Sequence, residues 1–226
     1  MSRWSLRCHL ERPWLEVVLP RSLRCLSWAP VGGGWRTTER VVWREVRDAD
    51  LGPDLDAAAW LAARMEARGQ TDAIGLLTSR NVACFTTAEA GAGQAQAAAC
   101  ATVGLSNAER IGQRRGGGAR AGTINVVCAV DAALSEAAQI EALSIAVEAR
   151  TAAVLEVGLG LDGGRATGTG TDCLVLACPP GTAAYAGTHT DVGEAVGRTV
   201  YDAVFAGATE WIAASQPKTP DGPGDP

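Results

Sequence analysis

"TINVVCAVDAALSEAAQIEALSIAVEARTAAVLEVG", residues 123–158, holds both kinds of element from which this chain is built. Residues 123–130 are apolar except for Thr123 and Asn125, rich in valine and short enough to predict a strand. Residues 134–158 run too long for a strand, and Ile140, Leu143, Val147 and Val154 recur along them at helical spacing. That periodicity predicts the longest helix of the chain, ended by Gly158.

Outward from this centre, strand patterns dominate. "LEVVL" (15–19) and "LRCLSWA" (23–29) predict two short strands, "VGGGW" (31–35) a turn or ligand loop, and "RVVWREV" (40–46) a further strand. "DLDAAAWLAARMEARG" (54–69) predicts a helix with Asp54 as N-cap and Gly69 as its C′ stop. "AIGLLTS" (73–79) and "VACFTTA" (82–88) suggest a pair of strands. "AAACATVGLS" (97–106) is another strand, followed by a polar loop through "RRGGGARAG" (114–122). "TDCLVLACP" (171–179) is a continuous apolar strand, and the last helix runs from Val192 to about Ala213 with Val196, Val200, Val204, Ala208 and Trp211 on one side. Strands outnumber helices and do not alternate with them. The expectation is an α+β fold of mixed α/β layers, with about seven or eight strands and three main helices. Residues 1–213 are read as one domain, and residues 214–226, with four of the ten prolines, as a disordered tail.

Composition narrows the function. Glycine makes up 27 of 226 residues, about 12%, against an ordinary ~7%, which points to tight turns or backbone packed close to a ligand. The net charge is −5 and no basic run exceeds Arg114-Arg115, arguing against nucleic acid or an anionic membrane as partner. Lys218 is the sole lysine and lies in the tail, which excludes a lysine nucleophile. Seven cysteines, odd in number and without a Cys-x-x-Cys pair, read as free thiols in a reducing cytoplasm. The N-terminus lacks the apolar core of a signal peptide, and no apolar run of the ~18 residues needed to span a bilayer occurs.

Familiar catalytic signatures are missing. Two histidines 180 residues apart and scattered cysteines give no metal-ligand spacing. "GGG" (32–34) is not followed by Gly-Lys-Ser/Thr, so Gly33 and Gly34 belong to a ligand loop rather than a P-loop. Neither a Gly-x-Ser-x-Gly elbow nor a dinucleotide fingerprint is present. No cofactor is expected.

Two threonine-rich stretches remain. In "GTHTDVGE" (187–194), Asp191 and Glu194 are spaced as a capping box for the last helix, which sets His189 and Thr190 beside a helix N-terminus able to attract an anion or carbonyl oxygen. In "ATGTGTDC" (166–173), glycines expose backbone N–H groups, Thr169 and Thr171 add hydroxyls, and Asp172 stands at the mouth of a buried strand, where a carboxylate needs partners. A tight turn capped by Asp172 accounts for the same residues. Asn107 fits turn chemistry, whereas Asn125, inside a strand, does not. On the long helix Glu148 faces away from the apolar stripe, while Arg150 borders it and can bind a carboxylate or phosphate. Six of seven tryptophans fall within the first 60 residues. They suit core and edge packing, or stacking on a large flat ligand.

In order along the chain, "GLLTSRNV", "ATVGLSNAERIG", "GTINVVCAVDAALSEAA", "VEARTAAVLEVG", "ATGTGTDCLVLACP" and "YAGTHTDVGEAVGRTVYDAV" resemble the adenosylcobinamide amidohydrolases of corrinoid salvage. The similarity spans roughly residues 23–206 and is most specific at Gly-Thr-Ile-Asn (122–125) and Ala-Thr-Gly-Thr-x-Thr-Asp (166–172). It implies hydrolysis of the amide joining aminopropanol to the corrin side chain, giving adenosylcobyric acid and 1-amino-2-propanol. The family often carries Glu-Ala-Lys where this chain has Glu148-Ala149-Arg150. The charge is kept, but an arginine does not transfer protons.

Amide hydrolysis needs an activated nucleophile, donors for the oxyanion and an acid for the departing amine. Asp172, with or without His189, is the expected base. Asn125 and the backbone at 168–171 are the expected oxyanion donors. Gly33, Gly34, Asn107, Thr123, Arg150, Thr169, Thr171 and Thr190 are candidates for holding substrate. Covalent attack by a threonine or by Cys173 stays open. So do a corrinoid-binding module without hydrolysis and, more weakly, an enzyme acting on a nucleotide phosphate. A small apolar-rich domain of this kind is also open to homodimerisation.

Overall fold

The computed structural model of the chain describes residues 4–47, 50, 52, 55–113 and 122–215. Asp54, the polar loop at 114–121 and the proline-rich tail from 216 onward lie outside the described residues. The elements in chain order are β1 (Arg7–Glu11), β2 (Trp14–Ser27), β3 (Gly34–Glu45), α1 (Ala57–Ala67), β4 (Ile74–Thr78), β5 (Phe85–Ala92), β6 (Ala95–Val103), β7 (Ala108–Glu109), β8 (Ile124–Val130), α2 (Glu136–Val157), β9 (Gly160–Leu161), β10 (Gly164–Arg165), β11 (Gly168–Thr169), β12 (Cys173–Cys178) and α3 (Asp191–Ser215).

Eight strands form one mixed sheet, ordered β4-β3-β2-β12-β8-β6-β5, with β1 paired to β2. The β3–β4 and β12–β8 pairs are parallel and the others antiparallel. This is the expected α+β architecture. The apolar strands β8 and β12 are neighbours at its centre, joined through α2, so α2 runs back to the end where both strands begin.

Each face of the sheet buries its own core. Ile124, Val126 and Cys128 of β8, with Leu174 and Leu176 of β12, pack under α2 and α3. The alternate residues Val127, Ala129 and Val175 join Leu15, Val17, Leu23, Trp43, Ile74 and Val82 in a core on the other face. This period-two split is what continuous apolar strands require. The sheet curls around the second core. Asn125 Nδ2 of β8 donates to the Leu77 carbonyl of β4 at 2.7 Å, although three strands separate them in the sheet order.

Four expectations are corrected. The segments 15–19 and 23–29 are one strand, β2, which absorbs Pro20 in a register irregularity between Val18 and Leu23. A proline fits a sheet at such a bulge. The segments 73–79 and 82–88 do not pair; β4 and β5 lie on opposite edges of the sheet. Between them a 3-10 turn (Val82–Cys84) drops Val82 into the inner core. The N-cap of α1 is Asp56, whose carboxylate accepts from Ala58 N and Ala59 N at 3.0 Å each. The buried face of α2 is lined by Ala138, Ala142, Ile145, Ala146, Ala149 and Ala153, and Ile140 is exposed. Of the expected stripe Val154 is fully buried, while Leu143 and Val147 border the contact, because alanines let α2 pack closely on α3 and the sheet. The helix ends of α2 follow local rules. Ser135 Oγ accepts from Ala138 N at 3.1 Å, and Gly158 takes the left-handed conformation (φ 77°) past the last turn.

Candidate active site

The parallel strands β8 and β12 begin side by side, with Asn125 in register with Cys173. The residues just before them, 122–123 and 167–172, therefore meet at one end of the sheet. The side chain of Asp172 alternates with that of Cys173 and turns to the helix face, where α2 delivers Arg150. Asp172 Oδ2 accepts from Arg150 Nη1 and from Thr169 N at 2.9 Å. Asp172 Oδ1 accepts from the Thr169 hydroxyl and from Ile124 N at 3.1 Å. Four donors occupy the four acceptor directions that an ionised carboxylate offers. The two side chains are nearly enclosed, 12% exposed for Arg150 and 6% for Asp172.

Burial pushes the Asp172 carboxyl above the usual aspartate range, while Arg150, the Thr169 hydroxyl and the N–H groups of Thr169 and Ile124 pull the other way. Glycine is required beneath the pair. A Cβ on Gly168 would lie 2.5 Å from Asp172 Oδ2 and inside van der Waals contact of Arg150 Nη1. Arg150 Nε is buried and meets no acceptor among the described residues.

The hydroxyls around this pair form a chain. Thr171 Oγ1 donates to the Gly122 carbonyl at 2.9 Å, so at the 2.5 Å contact between Thr123 Oγ1 and Thr171 Oγ1 it is Thr123 that donates. Asn107 supports the same loop from behind. Its carbonyl accepts from Gly170 N at 3.2 Å, next to the short ladder of β7 with β11. Thr123, Arg150, Thr169, Thr171, Asp172 and Asn107 thus meet at this end of the sheet.

Beside them opens a cleft of about 870 Å³. One wall is Arg150 with Val147 and Thr151 of α2, another the loop 167–170 with Asp172, and the rest comes from Trp28 and residues 109–113. Trp28 follows the last residue of β2, and its indole N–H donates to the Asp172 carbonyl at 2.6 Å. Sequence reading overlooked Glu109, Arg110, Ile111 and Gln113 and took Trp28 only as one of many tryptophans. No local periodicity marks these wall residues.

Other candidates lie apart from this cleft. Asn125 is 1% exposed and faces the inner core, its amide spent on Leu77. His189 is exposed on the loop before α3 and is not among the cleft residues. Its neighbour Thr188 lines a groove that touches α2 at Ile145, Glu148, Ala149 and Ala152, on the other side of the helix from Val147, Arg150 and Thr151. Thr190 is the N-cap of α3: its hydroxyl accepts from Gly193 N at 3.0 Å. That corrects the expected capping box, because Asp191 is the first helical residue and its carboxylate instead accepts from Gln94 N at 2.9 Å. Gly33 backs onto the Ala29 carbonyl with no room for a Cβ, and Gly34 opens β3 at φ 79°. Both serve the turn that follows Trp28.

Backbone N–H groups of the threonine-glycine loop are largely committed within the protein. Thr169 N binds Asp172 and Gly170 N binds Asn107, so the guanidinium of Arg150 is the better placed donor. Cys173 points into the inner core, and burial pushes its thiol up to about 12, which removes it as a nucleophile at neutral pH. All seven cysteines are unpaired. Among the described residues no group of three or more His, Cys, Asp or Glu side chains is placed to hold a metal ion, and no helix is long and apolar enough to cross a membrane.

A family model described as adenosylcobinamide amidohydrolase matches residues 3–216. An adenosylcobinamide amidohydrolase of Halobacterium salinarum is 37% identical over 127 residues, and the alignment covers 52% of this chain and 52% of that relative. The chain thus spans about half the length of the curated relative it matches. Matched along nearly its whole length and carrying the threonine-glycine loop around a buried Asp–Arg pair, the chain belongs to the adenosylcobinamide amidohydrolase family.

Proposed function

We propose that this chain hydrolyses the amide between the corrin side chain and aminopropanol in adenosylcobinamide, in the cleft beside Asp172. The observation that carries the proposal is the enclosed Asp172–Arg150 pair at the wall of an open cleft of about 870 Å³. The products would be adenosylcobyric acid and 1-amino-2-propanol, and the role a cytoplasmic salvage of incomplete corrinoids.

Of the four donors on Asp172, the Thr169 hydroxyl alone can pass a proton. Arginine stays protonated and amide N–H groups do not exchange protons on this path. Water in the cleft is therefore deprotonated through Thr169 Oγ1 onto Asp172, whose raised affinity for protons suits a base. The water oxygen bonds to the amide carbon, and the guanidinium of Arg150, which lines the cleft, stabilises the oxyanion. The C–N bond then breaks as the proton returns from Asp172 through Thr169 to the departing amine. His189 has no part in this scheme.

The test is to incubate the protein with adenosylcobinamide and follow both products by mass spectrometry. Asp172→Asn should lower turnover by roughly 10²-fold or more, and Thr169→Ser should retain far more activity than Thr169→Ala. Binding of the substrate by the unaltered protein without release of aminopropanol would favour a corrinoid-holding module instead. A folded Asp172→Asn variant with unaltered turnover would remove Asp172 as the base.

A further inference from the structure

An aromatic side chain left open to solvent at a cleft sets Trp28 apart, because Trp35, the other tryptophan of comparable exposure at 44%, has a guanidinium over its ring and is not among the residues of the cleft beside Asp172. Trp43 is fully buried. Arg21 lies over Trp4, Arg24 over Trp35, Arg44 and Arg68 over Trp14, and Arg64 sits 3.6 Å from the centre of Trp60. Trp211 packs against the helix core. Trp28 is 47% exposed, and among the described residues no guanidinium covers its ring.

The ring is nevertheless held in place. Its N–H is bonded to the Asp172 carbonyl at 2.6 Å, so it cannot turn away from the cleft it lines. Ile111, on the same cleft, is 83% exposed, the most exposed large apolar side chain among the described residues. Its backbone is also anchored, with Ile111 N donating to Thr167 Oγ1 at 2.7 Å. Two apolar groups on fixed backbone, both left wet, are costly to leave so unless something apolar covers them.

We infer that Trp28, with Ile111, is the seat for the flat macrocycle of the substrate, stacking on it while the amide-bearing side chain reaches Asp172. This rests on the function proposed above, which supplies the substrate. The indole has a π face large enough to support one face of a conjugated ring. Its hydrogen bond to the backbone of Asp172 fixes the distance from ring seat to carboxylate, so the macrocycle positions the scissile bond. Arg110, also in the wall, is held back by Arg110 Nη1 donating to the Arg165 carbonyl at 3.0 Å, which leaves the apolar pair to meet the ring.

The experiment uses the full chain and measures binding of adenosylcobinamide by calorimetry separately from turnover. Trp28→Ala should raise Kd at least about tenfold, more than it lowers kcat. Trp28→Phe keeps a ring but loses the N–H, and should keep Kd within about threefold. Ile111→Ser, at a solvent-facing position that threatens no core, should also weaken binding. If Trp28→Ala and Ile111→Ser bind as tightly as the unaltered chain, the inference is overturned. A Trp28→Ala variant that loses kcat with Kd unchanged overturns it as well, since the tryptophan would then act only through Asp172. Failure of the parent reading looks different: the unaltered chain binds the corrinoid but releases no aminopropanol, and the Kd comparison still decides the role of Trp28.

Discussion

Gly168→Ala tests whether the Asp172–Arg150 pair sets the activity. The φ of Gly168 is not among the positive values of the chain, so alanine adds no backbone strain there and its effect comes from the added methyl alone. That methyl would stand 2.5 Å from Asp172 Oδ2, whereas non-bonded atoms settle at about 3.5 Å. The carboxylate must retreat by about 1 Å, and the Arg150 head group, also in the way, must move with it. The far end of an arginine usually yields cheaply, but this one is ion-paired and 12% exposed. Overpacking of this kind costs about 1–3 kcal/mol, with about 3–5 kcal/mol as the ceiling if the pair breaks outright. A loss of about 2–3 kcal/mol corresponds, for a chain of this size, to a melting temperature lower by roughly 4–12 °C. Turnover of adenosylcobinamide should fall by about 10²-fold, the usual consequence of misplacing a reacting group by about 1 Å. Thermal melts and steady-state kinetics on the same preparation read both. Gly197→Ala is the control, since its Cβ would meet only a methyl of Ile145 at 3.5 Å and the residue is not part of the cleft. Combining Gly168→Ala with Arg150→Ala should be less than additive, because one of the two clashes has gone. A Gly168→Ala protein with unchanged melting temperature and turnover would refute the reasoning.

Three further outcomes follow from the same geometry. His189→Ala should leave turnover intact, while Thr190→Ala should lower stability by about 1 kcal/mol through loss of the α3 cap; a collapse of kcat in a folded His189→Ala would place the histidine back in the chemistry. The pH profile of kcat/KM should lose activity on the acid side at a higher pH than an ordinary aspartate gives, because burial raises the Asp172 carboxyl and the base must be ionised; activity that persists down to the normal aspartate range would contradict this. Cys173→Ala should keep turnover within about threefold, since a buried thiol pushed up to about 12 offers no thiolate near neutrality, and a dead but folded variant would revive the covalent route.

Much of the site was readable from residues 166–173 and 122–125, because glycine, threonine and a carboxylate at the mouth of a strand place their demands on near neighbours. Asp172 needed donors, and Thr169, three residues away, supplies two of them. Its ion-pair partner was less legible. Arg150 was marked by its place at the edge of a helical stripe, yet the stripe itself was drawn through Ile140, which is exposed, and the buried face of α2 is mostly alanine. Size alone misleads where helices pack closely. Asn125 stood out as a polar residue inside a strand and His189 as a neighbour of a helix N-terminus, but one holds the curl of the sheet and the other lies outside the cleft. Trp28 carried no local mark, since its meaning comes from being left bare at the cleft.

What the amino-acid order determined by itself is local: that the apolar runs at 123–130 and 171–179 are strands, that a long helix covers about 134–158, that the cysteines stay thiols, and which family the motifs resemble. Those features depend on side chains a few residues apart and on composition, so they need no knowledge of the rest of the chain. The tertiary structure alone decided that β4 and β5 lie at opposite edges, that 15–29 is one strand, and that Trp28, Ile111, Arg150 and Asp172 share one cleft. These relations join residues as far as 144 positions apart, as in the bond from Trp28 to Asp172. Their energy comes from burying both faces of β8 and β12 at once, a requirement that no short stretch of sequence expresses.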